Sequence, residues 1–385
     1  MQRRTVTFLT FFSIVITLYA ALNAYIFFKG VAAVPEAYKS FYTAVYIILA
    51  SSYVVGRVLE RVKLSWFSSL LVWVGSFWLA AMVYFFFSCL FIDILRLIDL
   101  VVPIFPSFLT TYPEQTKHTI GLVVAAFVSF VVCLGYWNAR IARIKTIEII
   151  IHKNSHEQKT FNIVAVSDIH LGTIICKSRL EYIVREMNEL NPDLVLLPGD
   201  VVDEDLGPVI KQNLGETLRA IKSKFGVVAI TGNHEYIGGV EEACRYLTEH
   251  GVRMLRDEIL RIDGGLYVVG REDRSLRQFE GKRRKPLEEL MAGVDKSYPV
   301  ILMDHQPFHL DEAMKNGVDL QLSGHTHHGQ MWPFNFITEK VYELSWGYMK
   351  KGNTHIYVSC GVGTWGPPVR IGNRPEIVNV RLRFE

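Results

Sequence analysis

The chain changes character near residue 138. Before it, apolar residues run in four long blocks, 6–28, 41–55, 66–92 and 119–137, interrupted by sparse charges. About 20 mostly apolar helical residues cross the hydrocarbon core of a bilayer. The first, third and fourth blocks reach that length, and the second does so with its flanks from 38 to 59. The first block is too long for the apolar part of a signal peptide. It is followed by Lys29-Gly30-Val31 and more membrane-like sequence rather than a small-residue cleavage site. The pattern predicts an all-α bundle of about four membrane spans over residues 1–143. Residues 94–105 are too short and too charged for a further span, and are expected as an interfacial helix or packed loop.

After residue 138 the period shortens. Short β-branched or wholly apolar runs predict strands at 144–151, 161–167, 194–197, 227–230, 252–255, 261–262, 266–269, 300–303, 320–322, 355–359 and 377–383. Helical patterns fill several gaps, at 178–190 (stopped by Asn191-Pro192), 209–223, 240–249 and 310–316. Apolar strands alternating with helices predict an α/β domain over residues 144–385, its sheets covered on both faces.

Charge changes the picture in one respect. The net charge of +3 says little about partners. Its distribution says more. With the N-terminus inside, inner segments carry Arg3 and Arg4, then Arg57, Arg61 and Lys63, then Arg140, Arg143 and Lys145. Outer loops carry Lys29, Lys39, Arg96 and Lys117. Basic residues favour the cytoplasmic side, so the second domain is expected in the cytoplasm of an inner, or plasma, membrane. The five cysteines lack CxxC spacing, which fits a reducing compartment.

The chemistry lies at the ends of the predicted strands, where α/β folds place their sites. Five clusters recur there: Asp168-Ile169-His170, Gly199-Asp200-Val201-Val202-Asp203, Gly232-Asn233-His234-Glu235, Asp304-His305-Gln306-Pro307 and Gly324-His325-Thr326-His327. Asp168, His170, Asp200, Asn233, His305, His325 and His327 offer carboxylate, amide and imidazole donors without thiolate. Such a set suits Mn, Fe or Zn. Seven donors exceed one ion's needs but suit two divalent ions sharing a carboxylate, a pair spaced at about 3.5–4 Å that clamps phosphoryl groups.

The five blocks in this order resemble the calcineurin-like metallophosphoesterases, over roughly residues 161–383. Asp319-Leu-Gln-Leu-Ser-Gly-His-Thr-His327 and Gly363-Thr-Trp-Gly-Pro-Pro-Val-Arg370 look like a membrane-anchored bacterial branch. One departure is His328, where that branch has glycine. The resemblance implies a four-layer fold, a two-sheet sandwich flanked by helices. It implies Asp168, His170 and His327 on one metal and Asn233, His305 and His325 on the other, with Asp200 bridging. His234 would face the substrate, oriented by Asp203.

The implied function is a membrane-anchored phosphoesterase (a phosphodiesterase, pyrophosphatase or phosphatase). Family members that split the pyrophosphate of UDP-2,3-diacylglucosamine make that lipid-linked substrate the specific expectation, with the bilayer as the other partner. The alternatives are a nucleotide phosphodiesterase and a non-enzymatic receptor or accessory protein that binds nucleotide or metal. Nucleic acid is not expected, for want of a wide basic groove with stacking aromatics. Around the clusters, Glu235, Gln306 and His309 are expected to support ligands, and His328 to sit at the rim. Arg370 is expected to meet a substrate phosphate or pair with an acid. The stretch 271–285, seven Lys/Arg against three acids, is expected to face anionic headgroups or to be a solvated loop.

Overall fold

The computed structural model describes residues 2–106, 111–153, 159–262 and 265–385, with side chains from residue 13 onward. It divides into two compact units, Met1–Leu134 and Gly135–Glu385. Residues 135–143 therefore lie with the second unit.

The first unit is helical. Helices Gln2–Ala32, Lys39–Val62, Trp66–Asp99 and Pro113–Ala139 are long and apolar enough to cross a membrane. Small residues let two of them approach closely: a Cβ at Gly75 would lie 2.2 Å from the Tyr53 nitrogen, and one at Gly56 2.7 Å from that of Val72. Asn23 ties three helices together, accepting from Trp78 Nε1 at 3.0 Å through its side chain and from the Tyr46 hydroxyl at 2.7 Å through its carbonyl. The expectation for 94–105 needs correction, because the third helix continues to Asp99. The charges that argued against it have partners. Asp93 accepts from Lys29 Nζ at 2.6 Å and the Tyr25 hydroxyl at 2.7 Å, and Asp99 accepts from the amides of Ile104 and Phe105.

Among its described residues the second unit holds twelve strands: β1 Arg143–Ile151, β2 Thr160–Ala165, β3 Leu194–Pro198, β4 Val227–Ile230, β5 Val252–Met254, β6 Glu258–Ile262, β7 Leu266–Gly270, β8 Val300–Met303, β9 Leu320–Ser323, β10 Gly347–Lys351, β11 Thr354–Val358 and β12 Glu376–Phe384. One sheet has the order β1-β12-β2-β3-β4-β5 and the other β10-β11-β9-β8-β7-β6. Strands β2 to β5 are parallel, as are β11, β9, β8 and β7. The inner faces meet in one core, with Ile163, Leu196 and Val228 from the first sheet and Val268, Ile301 and Leu322 from the second.

Helices cover the outer faces. On the second sheet, Leu287, Leu290 and Met291 pack over Val269 and Leu302. Helix Lys177–Glu189 buries Leu180, Ile183, Val184 and Met187, spaced for one helical face. It stops where Asn191 turns left-handed (φ 49°) before Pro192. The result is the four-layer α/β sandwich.

Several element boundaries differ from expectation, and β6 starts at Glu258 rather than at 261. The helix expected at 209–223 is two short ones, Gly207–Lys211 and Leu214–Leu218, because Asn213 adopts φ 51° between them. The edge strand β10 and helix Asn335–Val341 were not expected from the sequence.

Candidate metal centre

Parallel running gathers the clusters. Asp168 and His170 follow β2, Asp200 and Asp203 follow β3, and Asn233 and His234 open a helical turn after β4. His305 follows β8, and His325 and His327 follow β9. Five of these residues hold left-handed backbone: Asp168 (φ 53°), His170 (54°), Asp200 (50°), His325 (72°) and His327 (45°). Each such position costs on the order of 1–3 kcal/mol and persists only where surroundings over-determine it. Here the Asp168 amide donates to Gly199 O at 3.1 Å, His170 to Asp200 O at 3.0 Å and Gly324 to His305 O at 3.0 Å. Glycine at 324 is required by space, because a Cβ there would lie 2.3 Å from Asp168 Oδ2.

The donors converge on two adjoining points. Asp168, His170 and His327 place ligand atoms within 4.8 Å of one another, and so do Asp200, His305 and His325. His170 Nε2 and His327 Nε2 lie 3.0 Å apart. His325 Nδ1 is 2.7 Å and His305 Nε2 3.2 Å from Asn233 Oδ1. Asp200 Oδ2 stands between the groups, 3.0 Å from His305 Nε2 and 3.9 Å from His170 Nε2. His305 Nδ1 donates to Pro198 O at 2.8 Å, leaving Nε2 its lone pair. Asp168 Oδ2 is buried without a hydrogen-bond partner. Imidazole nitrogens facing one another and an orphaned carboxylate oxygen suit a cation, so the donor set fits two divalent ions.

Electrostatics divide the imidazoles: burial works against charge on His305, yet the Asp200 carboxylate beside it holds it well above the usual histidine value. Burial, reinforced by the neighbouring imidazole of His305, pushes His325 down to about 3. Burial likewise drives His327 well below the usual histidine value. Neutral imidazoles are the ligating form. Burial would raise Asp200, but the imidazoles of His305 and His234 hold it well below the usual carboxylate range.

His234 is arranged differently. Its Nδ1 donates to Asp203 Oδ1 at 3.1 Å, and its ring meets that of His170 edge-on at 4.5 Å. Burial works against its charge, but Asp200 and Asp203 outweigh it and push the pKa up to about 9. Asp203 also lies 3.6 Å from His170 Nδ1. Trp365, half exposed, approaches His234 edge-on at 5.9 Å.

The supporting residues hold some surprises. Glu235 is a backbone clamp, accepting the amides of Asp200, Val202 and Gly232 at 3.1, 2.9 and 2.7 Å. Gln306 donates to Asp273. His328 takes left-handed backbone (φ 46°) where glycine would be easier, with Nδ1 2.7 Å from Ser345 Oγ and Nε2 3.6 Å from Glu339. Arg370 neither meets open space nor pairs with an acid. It is fully buried, donates to Cys360 O, Gly361 O, Gly363 O and Asn373 Oδ1, and lies 3.2 Å from His327 Nδ1. Asn373, missed from sequence, donates to His327 O and His328 O. The basic stretch is also partly internal. Arg271 and Arg284 both pair with buried Asp304, and Arg274 lies over the Phe308 ring.

Residues 161–329 match the family model described as calcineurin-like phosphoesterase. An uncharacterised metallophosphoesterase of Bacillus subtilis (strain 168) is 32% identical over 276 residues, 65% of this chain and 90% of that protein. One of Helicobacter pylori (strain J99) is 35% identical over 229 residues, 58% of this chain. The chain spans only 60% of that relative's length. One of Campylobacter jejuni is 28% identical over 386 residues, 98% of this chain and 99% of its own.

Proposed function

We propose that this chain, which belongs to the calcineurin-like phosphoesterase family, is a membrane-anchored, two-metal phosphoester hydrolase. The observation that carries the reading is the convergence of seven donors on two adjoining points, with His170 Nε2 and His327 Nε2 3.0 Å apart and Asp200 between the groups. Asp168, His170 and His327 would hold one ion, Asn233, His305 and His325 the other, and Asp200 would bridge. When bound, the two ions supply Lewis-acid stabilisation of phosphoryl oxygens and acidify a shared water.

The chain's own residues do the rest. The Asp203 carboxylate fixes the His234 imidazole through Nδ1, leaving Nε2 as the free proton-bearing edge. A protonated His234, favoured by its two carboxylate neighbours, stabilises phosphoryl oxygens or gives its proton to the leaving oxygen. Glu235 holds the backbones of the Asp200 and Asn233 loops in register.

Four apolar helices associate the chain with a membrane. The basic bias of the inner segments supports an inner-membrane location with the second domain cytoplasmic. A lipid-linked phosphoester such as UDP-2,3-diacylglucosamine is the substrate we propose, which would give the protein a part in lipid metabolism.

The test is hydrolysis of UDP-2,3-diacylglucosamine and an aryl phosphodiester by detergent-purified chain, with Mn²⁺ and with chelator, beside Asp200→Asn. Metal-dependent turnover lost in the variant is the expected result. Cleavage of the aryl ester alone keeps the chemistry and removes the lipid substrate. Absence of both activities from metal-loaded protein favours a binding role.

A further inference from the structure

We infer that the cavity between the four helices of the first unit binds one anionic acyl lipid, with its chain inside and its headgroup at a charged mouth. The cavity measures about 600 Å³, within the range of small-molecule sites, about 300–1,000 Å³. Every residue that lines it falls between 26 and 125, so it belongs to the first unit alone.

The interior suits hydrocarbon. Tyr42, Tyr46, Trp78 and Phe85 form a continuous wall of rings, with successive centroids 5.7, 5.0 and 6.1 Å apart. The polar ends of two of these rings are taken up by Asn23: the Tyr46 hydroxyl donates to its carbonyl and Trp78 Nε1 to its Oδ1. Ring faces and the apolar side chains of Leu49 and Val124 are left to meet an occupant. Gly121 lets the fourth helix close on the first, since a Cβ there would lie 2.8 Å from that of Ala33. Along this fourth helix the lining runs from Lys117 to Ala125, about 12 Å at 1.5 Å per residue. Such a slot takes a run of methylenes and offers a polar ligand little to bond.

The mouth is charged, and its charges do not cancel. Lys29 lies in the last turn of Gln2–Ala32, Arg96 in the last turn of Trp66–Asp99 and Lys117 in the second turn of Pro113–Ala139, and all three line the cavity. Asp93 is the one acid among the lining residues. It is already engaged by Lys29 Nζ at 2.6 Å and the Tyr25 hydroxyl at 2.7 Å. Lys117 meets Glu114 at 2.7 Å, but that pair is largely exposed and contributes little in water. Arg96 is exposed and forms no ion pair among the described residues. An aromatic slot with surplus cations at one end matches an acyl chain that ends in a phosphate or carboxylate.

A phospholipid and a free fatty acid share that chemistry, and the test carries both. Full-length chain in detergent, stripped of co-purified lipid, is titrated with oleate, dioleoylphosphatidylglycerol or dioleoylphosphatidylcholine. Bound lipid per chain is counted by native mass spectrometry. One anionic lipid per chain at saturation is expected, with phosphatidylcholine weaker by about fivefold, and the tighter of the two anions identifies the headgroup. Arg96→Gln should weaken binding by about fivefold, the share of one basic residue facing anionic lipid. Ala125→Phe, which puts a ring into the cavity, should remove the one-to-one complex, and Val124→Phe serves if that variant fails to fold. Arg61→Gln, in the last turn of Lys39–Val62 at the other end of the bundle, is the control and should bind like the unmodified chain. A melting temperature matching the unmodified chain certifies each fold.

Equal binding of phosphatidylcholine, accumulation of lipid without saturation, or full binding by a cavity-filled variant places the lipid outside the helices and overturns the inference. So does the absence of binding by either anion, or a loss in Arg61→Gln equal to that in Arg96→Gln. None of these outcomes bears on the metal centre, so the proposed hydrolase stands or falls separately.

Discussion

His234 and the seven donors differ in what their removal does. Asp168 meets the His325 amide through Oδ1 and leaves Oδ2 buried and unpaired. Asp168→Asn should therefore lower bound metal from two ions toward one per chain, read by elemental mass spectrometry. His234→Asn should keep the metal and lower kcat by about 10²–10⁴, the usual range for a general acid or base. Asp203→Asn, acting through His234, should cost about 10–100-fold. If His234→Asn also empties the site, the imidazole is a ligand and its assigned role is wrong. The gathering of these side chains was legible because each cluster is contiguous and follows an apolar run. Arg370 was not legible. It works by donating to the carbonyls of 360, 361 and 363, whose directions depend on the folded loop rather than on any spacing of residue types. Replacing it with Met strands those carbonyls. That should destabilise the second unit by about 2–4 kcal/mol, seen as a lower melting temperature in detergent, with Arg370→Lys only partly rescuing.

At the scale of elements, the strands were readable and the connections were not. A run such as 300–303 or 227–230, apolar at every position, has few alternatives to a strand buried on both faces. The span 209–223 reads as one helix because its apolar spacing continues, and only Asn213 turning left-handed cuts it. A residue that tolerates that conformation does not announce that it adopts it. β10 is an edge strand whose faces alternate between half-buried and exposed, so it was not expected from the sequence. The loops after β2, β3 and β9 are where five non-glycine donors hold positive φ, and tight backbone contact keeps them there. Gly324→Ala puts a methyl 2.3 Å from Asp168 Oδ2. The variant should fold, because the strands bear none of that contact, yet bind metal more weakly. A rightward shift of the Mn²⁺ titration would show this, and an unchanged titration would mean that the β9 loop gives way.

For the whole molecule, the orientation we propose rests on basic residues alone. With the N-terminus inside, Arg3, Arg4, Arg57, Arg61, Lys63, Arg140, Arg143 and Lys145 would fall on one side of the proposed four-span bundle, and Lys29, Lys39, Arg96 and Lys117 on the other. Acids do not cancel this asymmetry, since the rule counts Lys and Arg near span ends rather than net charge. Pairs such as Lys29–Asp93 and Lys117–Glu114 on the poorer side therefore leave the argument intact. Four spans return the chain to its starting side, so the second unit should be cytoplasmic. A fluorescent protein fused after Glu385 should fold and glow, and alkaline phosphatase fused there should be inactive. Fusions after residue 34, between the first two spans, should behave oppositely. The reverse pattern would put the donors outside. Adding arginines to the segment between the first two spans should weaken the preference, because basic bias, not the folded domain, is what sets it.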